Sequence, residues 1–174
     1  MALLVLTMIG DDRPGLVDAV SGVITEHGGN WEESRMAHLA NKFAGILLVS
    51  VADGRAHALA AALRGLQAAG LAVTVEDAAD APAASARSLD LELVGQDRPG
   101  IVHDIAHVLA AHRISIEDLE TVTESASMAG GTLFRAKARL SVPAAVETSQ
   151  LREVLEGLAN ELMVDIDLSE KSGN

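Results

Sequence analysis

Two short stretches concentrate the side chains able to do chemistry: GDDRPG at residues 10–15 and GQDRPG at residues 95–100. Each sets a carboxylate (Asp12, Asp97) and a guanidinium (Arg13, Arg98) beside a Pro-Gly pair, at the end of an apolar run. Pro14 and Pro99 stand where a helix is expected to begin, the one place a helix tolerates proline without losing a hydrogen bond. Gly15 and Gly100 lack a Cβ, so another group can approach the backbone closely. Two readings follow. In one, Asp12 and Asp97 cap the free N–H groups of the helix that comes next. In the other, those N–H groups and the helix dipole receive a ligand carboxylate, while Asp12 or Asp97 accepts from a neighbouring ammonium. A carboxylate and an ammonium side by side describe an α-amino acid. The readings compete, because donors consumed by a capping Asp are not free for a ligand.

Other candidate chemistry is sparse. His103 and His107 are four apart on a helical stretch, a spacing that suits zinc, but the apolar residues of that stretch centre on the opposite face and repeat one carries Asp18 and Gly22 there. A solvated pair is expected, and no metal or other cofactor is called for. The chain has no cysteine, hence no disulfide framework, thiolate zinc site or Cys nucleophile. No G-x-S-x-G, Walker loop or dinucleotide fingerprint occurs, and the expectation is a protein that is not an enzyme. The formal net charge of −12, with both halves acidic, argues against a nucleic-acid surface, which needs clustered Lys and Arg. The opening MALLVLTMIG has no basic n-region and its apolar run stops at Asp11 and Asp12. It reads as a strand, not a signal peptide or membrane span, and a cytoplasmic protein is expected.

The elements that must position the hexapeptides are also written twice. Residues 3–33 lie over residues 88–118, and FAGILLVSV (43–51) over FRAKARLSV (134–142). The second copy is longer between its second and third strands, at SASMAGG (125–131), where a hairpin loop tolerates insertion. In each copy an alternating strand leads to the hexapeptide, then an amphipathic helix, two strands, a second helix and a last strand. In the second copy Ile101, Val102, Ile105, Val108 and Leu109 mark the first helix, Leu151, Val154, Leu155, Leu158 and Leu162 the second, and VDIDL the last strand. In the first copy Leu59, Leu63 and Leu66 mark the second helix and LAVTVED the last strand. The order β-α-β-β-α-β closes as a four-stranded antiparallel sheet with both helices on one face, the ferredoxin-like fold of the α+β class. The expected organisation is a domain over 1–78, an Ala/Pro/Ser-rich linker over 79–88, a second domain over 89–170 and a tail over 171–174.

A sheet with helices on one side leaves the other side open. In repeat two, Asp90 and Glu92 are expected beside Arg135, Lys137 and Arg139 on that open side, as cross-strand charge pairs. In repeat one the positions of Asp90, Lys137 and Arg139 are held by Val5, Ile46 and Leu48. That apolar face predicts a contact with another chain, in a homo-oligomer or a partner complex.

The DRPG at the first strand–helix turn, with GGNW (28–31) or RISI (113–116) leading into the second strand, resembles the ACT domain family. Two such units and little else resemble, more particularly, the glycine cleavage system transcriptional repressor group. The resemblance implies a regulatory module that binds a small amino acid at interfaces between paired domains, glycine or serine being the candidates. Carried over by position, it implies ligand contacts from Asp12, Arg13, Gly15, Leu16 and Asn30 in the first unit. In the second they are Asp97, Arg98, Gly100, Ile101 and Ser115. Asp12 and Asp97 stand where several ligand-binding members carry Asn, and Ser115 where Asn is common, so the first site is expected to be the better one. The resemblance also implies a transcription-regulator partner, since so acidic a chain is not expected to touch DNA itself. A regulatory subunit of an amino-acid metabolic enzyme and a purely structural dimerisation module are the alternatives.

Overall fold

The computed structural model describes residues 1–78, 86–125 and 130–170. The chain divides into two compact units, Met1–Ala81 and Pro82–Asn174. The first contains β1 (Ala2–Asp11), α1 (Leu16–Glu26), β2 (Asn30–Leu39), β3 (Lys42–Val51), α2 (Ala56–Gly65) and β4 (Leu71–Asp77). The second contains β5 (Ala86–Gln96), α3 (Ile101–Ala111), β6 (Ser115–Ser125), β7 (Thr132–Pro143), α4 (Thr148–Leu162) and β8 (Val164–Glu170). The sheet orders are β2-β3-β1-β4 and β6-β7-β5-β8, every pairing antiparallel. This is the ferredoxin-like arrangement expected from the repeat.

The strict alternation in β1 buries Leu4, Leu6 and Met8 and turns Leu3, Val5, Thr7 and Ile9 to the other side. Leu16, Val20 and Ile24 recur at helical spacing on α1 and close over that buried row with Leu59 and Leu63 of α2. The second unit repeats the solution with Leu89, Leu91 and Leu93 under Ile101, Ile105 and Leu109 of α3 and Leu151, Leu155 and Leu158 of α4. Each fully buried leucine contributes about 1.5–3 kcal/mol by leaving water. Two separate cores of this kind explain why both halves fold around the same pattern.

Local departures from the expected boundaries have physical reasons. Ala86, Arg87 and Ser88 pair with Pro143, Val142 and Ser141, so β5 begins inside the stretch expected to be linker; Ala/Ser composition does not reveal that a polar run is paired. The rest of that linker, residues 79–85, lies outside the described residues, as do 126–129 of the hairpin insertion and the tail. In the first unit Leu66 does not continue α2 but opens a tighter 3₁₀ turn over Leu66–Ala69. The β2–β3 hairpin turns on Ala40 and Asn41, both left-handed at φ 47° and 62°, the geometry that matches strand twist in a two-residue hairpin.

On the open side of the second sheet, Asp90 lies opposite Arg139 and Glu92 opposite Lys137, with N–O separations of 3.8 and 3.3 Å. Arg135 instead pairs with Glu124 of β6 at 3.2 Å. On the first sheet Val5 faces Leu48 and Thr7 faces Ile46 in the same register.

Candidate functional site

The hexapeptide turns are built the same way in both units, and each residue has a distinct reason. A Cβ on Gly10 would lie 2.8 Å from the carbonyl oxygen of Gly70, and one on Gly95 would lie 2.2 Å from Cγ1 of Val164. The opening glycine therefore exists because the last strand of the unit starts against it. The Asp12 N–H donates to Asn41 O at 3.0 Å and the Asp97 N–H to Thr132 O at 2.8 Å, which ties each turn to the tip of the neighbouring hairpin. Gly15 and Gly100 adopt φ of 91° and 90° and serve as helix N-caps in the left-handed conformation. A side chain would strain that backbone, and among the described residues nothing beyond the glycine's own chain neighbours lies within 4 Å of where its Cβ would sit.

This geometry corrects the capping reading. The helices begin at Leu16 and Ile101, after the glycine, so Pro14 and Pro99 lie outside the first turn, and neither N-terminus receives a side-chain cap. The left-handed glycine swings the preceding residues away from the helix axis. The Asp12 carboxylate is directed sideways, to 3.5 Å from Nε2 of His38 near the end of β2. Leu16 and Ile101 are buried at the helix start, while Asp12, Gly15, Asp97 and Gly100 are exposed.

The arginines diverge. Arg13 donates to the carbonyl of Ala69 at the end of the 3₁₀ turn, whereas Arg98 donates to Asp104 at 2.7 Å and to Pro99 O at 3.4 Å. Both are engaged within their own unit. Asp104 is a partner the sequence reading missed; the only signal for it was an acid in the first turn of α3 where repeat one has Ala19.

Asn30 and Ser115 do not join the turns. Asn30 pairs with Ser50 of β3, at the far end of the sheet from the Asp11–Lys42 pair beside the turn. The eight residue steps from Lys42 to Ser50 span about 27 Å at ~3.4 Å per residue. Ser115 stands opposite Ser141, equally far along β7 from Leu133. Within one unit the two halves of the expected site are thus separated by the length of a strand. The Asn30 amide donates to Glu32 at 3.0 Å, and the buried Ser50 hydroxyl donates to the same oxygen. Ser50 first, and Asn30 after it, hold the Glu32 carboxyl below its ordinary value. Glu32 occupies a β-bulge between Trp31 and Glu33, and β6 has the matching irregularity between Ile116 and Asp118.

His103 and His107 stack in the open with ring centroids 6.0 Å apart. Among the described residues no group of three or more His, Asp or Glu is placed to hold a metal, and no helix is long and apolar enough to cross a membrane.

Tandem ferredoxin-like units, each with a left-handed glycine opening its first helix, define the architectural class of the chain. The ACT domain model matches residues 2–76 and 89–169, and the chain belongs to that family. It is similar to the glycine cleavage system transcriptional repressor of Escherichia coli, 24% identical over 161 residues that cover 91% of this chain and 85% of the relative. A crystal structure of an "unknown protein" from Galdieria sulphuraria superposes with a TM-score of 0.82 at 34% identity, covering 97% of this chain and 98% of the other. A solved structure described as a candidate glycine cleavage system transcriptional repressor matches with a TM-score of 0.74 at 21% identity, over 97% and 96% of the two chains. The chain is a tandem ACT regulatory protein homologous to that repressor.

Proposed function

We propose that the protein is a non-enzymatic regulator that senses a small amino acid, glycine or serine being the candidates, and passes that state to a transcription-regulator partner. The observation that carries the reading is the uncapped, solvent-facing helix start behind Gly15 and Gly100. Free N–H groups there, reinforced by the helix dipole, suit a carboxylate, and the adjacent Asp12 or Asp97 suits an ammonium. The name of the E. coli relative supports a role in repression. The net charge of −12 favours action through a DNA-binding partner over contact with phosphates.

The distance between Asp12 and Asn30 shapes the proposed site. If both contact one ligand, they come from the first units of two copies of the chain set edge to edge. Antiparallel pairing of two β2 strands brings the Asn30 end of one against the His38 end of the other, where the Asp12 turn stands. The β4 edge carries a guanidinium instead, Arg64 donating to Val75 O at 3.3 Å.

Calorimetric titration of the full chain with each of the twenty amino acids tests this reading, with Asp12→Ala and Asp97→Ala beside it. Saturable binding of one small amino acid, lost in Asp12→Ala and retained in Asp97→Ala, is expected. Absence of heat and of any thermal shift across the panel overturns the sensor.

A further inference from the structure

The two sheets share a fold and differ in the chemistry of their open faces. On the second sheet Asp90, Glu92, Asp118, Glu120, Asp165 and Asp167 share one side with Arg135, Lys137 and Arg139. On the first, the corresponding rows of β1 and β3 are Leu3, Val5, Thr7 and Ile9 against Ala44, Ile46, Leu48 and Ser50. Leu3 is 43%, Ile9 51% and Ile46 48% exposed. These side chains stand on the two central strands, and the charges gather at the margins, as the Asp11–Lys42 and Glu33–Arg35 pairs and the carboxylate of Glu76 on the β4 edge, opposite Val5.

We propose that this apolar face of the first unit packs against the same face of a second copy of the chain, in a two-fold interface. A two-fold contact sets each patch against its own duplicate. Carboxylate-rich ground cannot satisfy that condition, because like charges meet like, and a chain of net charge −12 opposes self-contact over most of its surface. The first sheet's face satisfies it: an apolar centre meets an apolar centre, and rim pairs carrying both signs meet pairs carrying both signs. Its size is suitable as well. Three ten-residue strands and the seven-residue β4, at ~3.4 Å per residue and ~4.8 Å spacing, make a plane of roughly 600 Å². A stable interface buries about 800 Å² of accessible surface on each partner, and side-chain relief raises accessible area above the planar figure. An apolar core with a polar, charge-paired rim is also the usual anatomy of such contacts. This inference stands apart from amino-acid sensing and does not rest on it.

Sedimentation of the full chain across a broad concentration series tests it, beside Ile46→Asp and Lys137→Asp, which change corresponding positions of the two faces. The wild type is expected at twice the 18.0 kDa chain mass or a higher even multiple. Ile46→Asp should halve the assembly mass with its circular dichroism unchanged, and Lys137→Asp should leave the mass intact. Should Ile46→Asp fail to fold, the absence of cysteine supplies a second route. A lone thiol in Thr7→Cys, opposite Ile46 in register, should join two chains through a short bis-maleimide, and one in Glu92→Cys should not. A wild type that stays at single-chain mass overturns the proposal. So does a folded Ile46→Asp variant of unchanged mass, or equal cross-linking from both thiols.

Discussion

Arg98 and Asp104 form an ion pair of 2.7 Å across the first turn of α3, while the matching helix position of the first unit is Ala19 and Arg13 reaches Ala69 instead. The same hexapeptide is therefore fastened to its own helix in one unit and to the 3₁₀ turn ahead of the last strand in the other. The Arg98 and Asp104 side chains are 38% and 37% exposed, so solvent screens the pair. Asp104→Ala should destabilise the second unit by about 0.5 kcal/mol, within the range of exposed pairs, with the effect shrinking in high salt. Urea unfolding at two ionic strengths measures both.

Arg113 occupies the left-handed region at φ 58°, where the first unit has Gly28 at φ 68°. A residue with a Cβ pays there, and glycine does not. Arg113→Gly should raise the stability of the second unit by roughly 1 kcal/mol, read as a higher midpoint in urea with an unchanged slope.

The opening glycines of the hexapeptides should behave in the reverse sense. Gly10→Ala presses a methyl onto the Gly70 carbonyl and Gly95→Ala presses one onto Val164. Each should cost about 1–3 kcal/mol, as overpacking does. The loss should appear in the transition of the mutated unit, measured by thermal unfolding.

Glu32 supplies a pH dependence with a definite sign. Its carboxyl is held below the ordinary value by Ser50 and then Asn30, so its contribution is complete above the unfolded pKa of about 4.3. It fades as pH falls through the lowered folded value. Glu32→Gln should lower the neutral plateau and leave stability at the lowest pH nearly unchanged, so that the part of the acid-side loss below about 4.3 that Glu32 supplies disappears. Chemical unfolding at a series of acidic pH values checks it.

Much of this architecture was legible because the chain states it twice. Alternation in LDLELV and the Ile101, Ile105, Leu109 spacing identify a strand and a helix, and the duplicated order identifies the sheet. That Asp90 and Glu92 share the open side with Arg135, Lys137 and Arg139 followed from period, since residues two apart on a strand share a side; which acid meets which cation, and that Arg135 turns to Glu124, needed the register. What spacing could not convey was direction in space. Asp12 and Asn30 keep the same separation along the chain as Asp97 and Ser115, yet α1 and α3 run back along the sheet between them and carry them to its opposite ends. The capping expectation failed for a similar reason. DRPG written as letters does not disclose that Gly15 turns left-handed and moves the helix start past the proline. Asp104 and Glu32, the partners of Arg98 and Asn30, are ordinary surface acids in the sequence and become particular only through contact.

The antiparallel pairing of the outer elements of each unit has a consequence for how such a module travels between proteins. Leu4 stands opposite Asp77, and the Ala78 N–H donates to Leu3 O at 2.8 Å; in the second unit Leu89 stands opposite Glu170. Entry and exit of the chain are thus neighbours, stitched side by side at one end of the sheet. A segment with adjoining ends can be spliced into a surface loop of a host, or relinked through a short bridge and reopened elsewhere, while its core stays intact. The duplication in this chain is one product of that portability. A circular permutant joined between Ala78 and Ala2 and opened at the Ala40–Asn41 turn would be another.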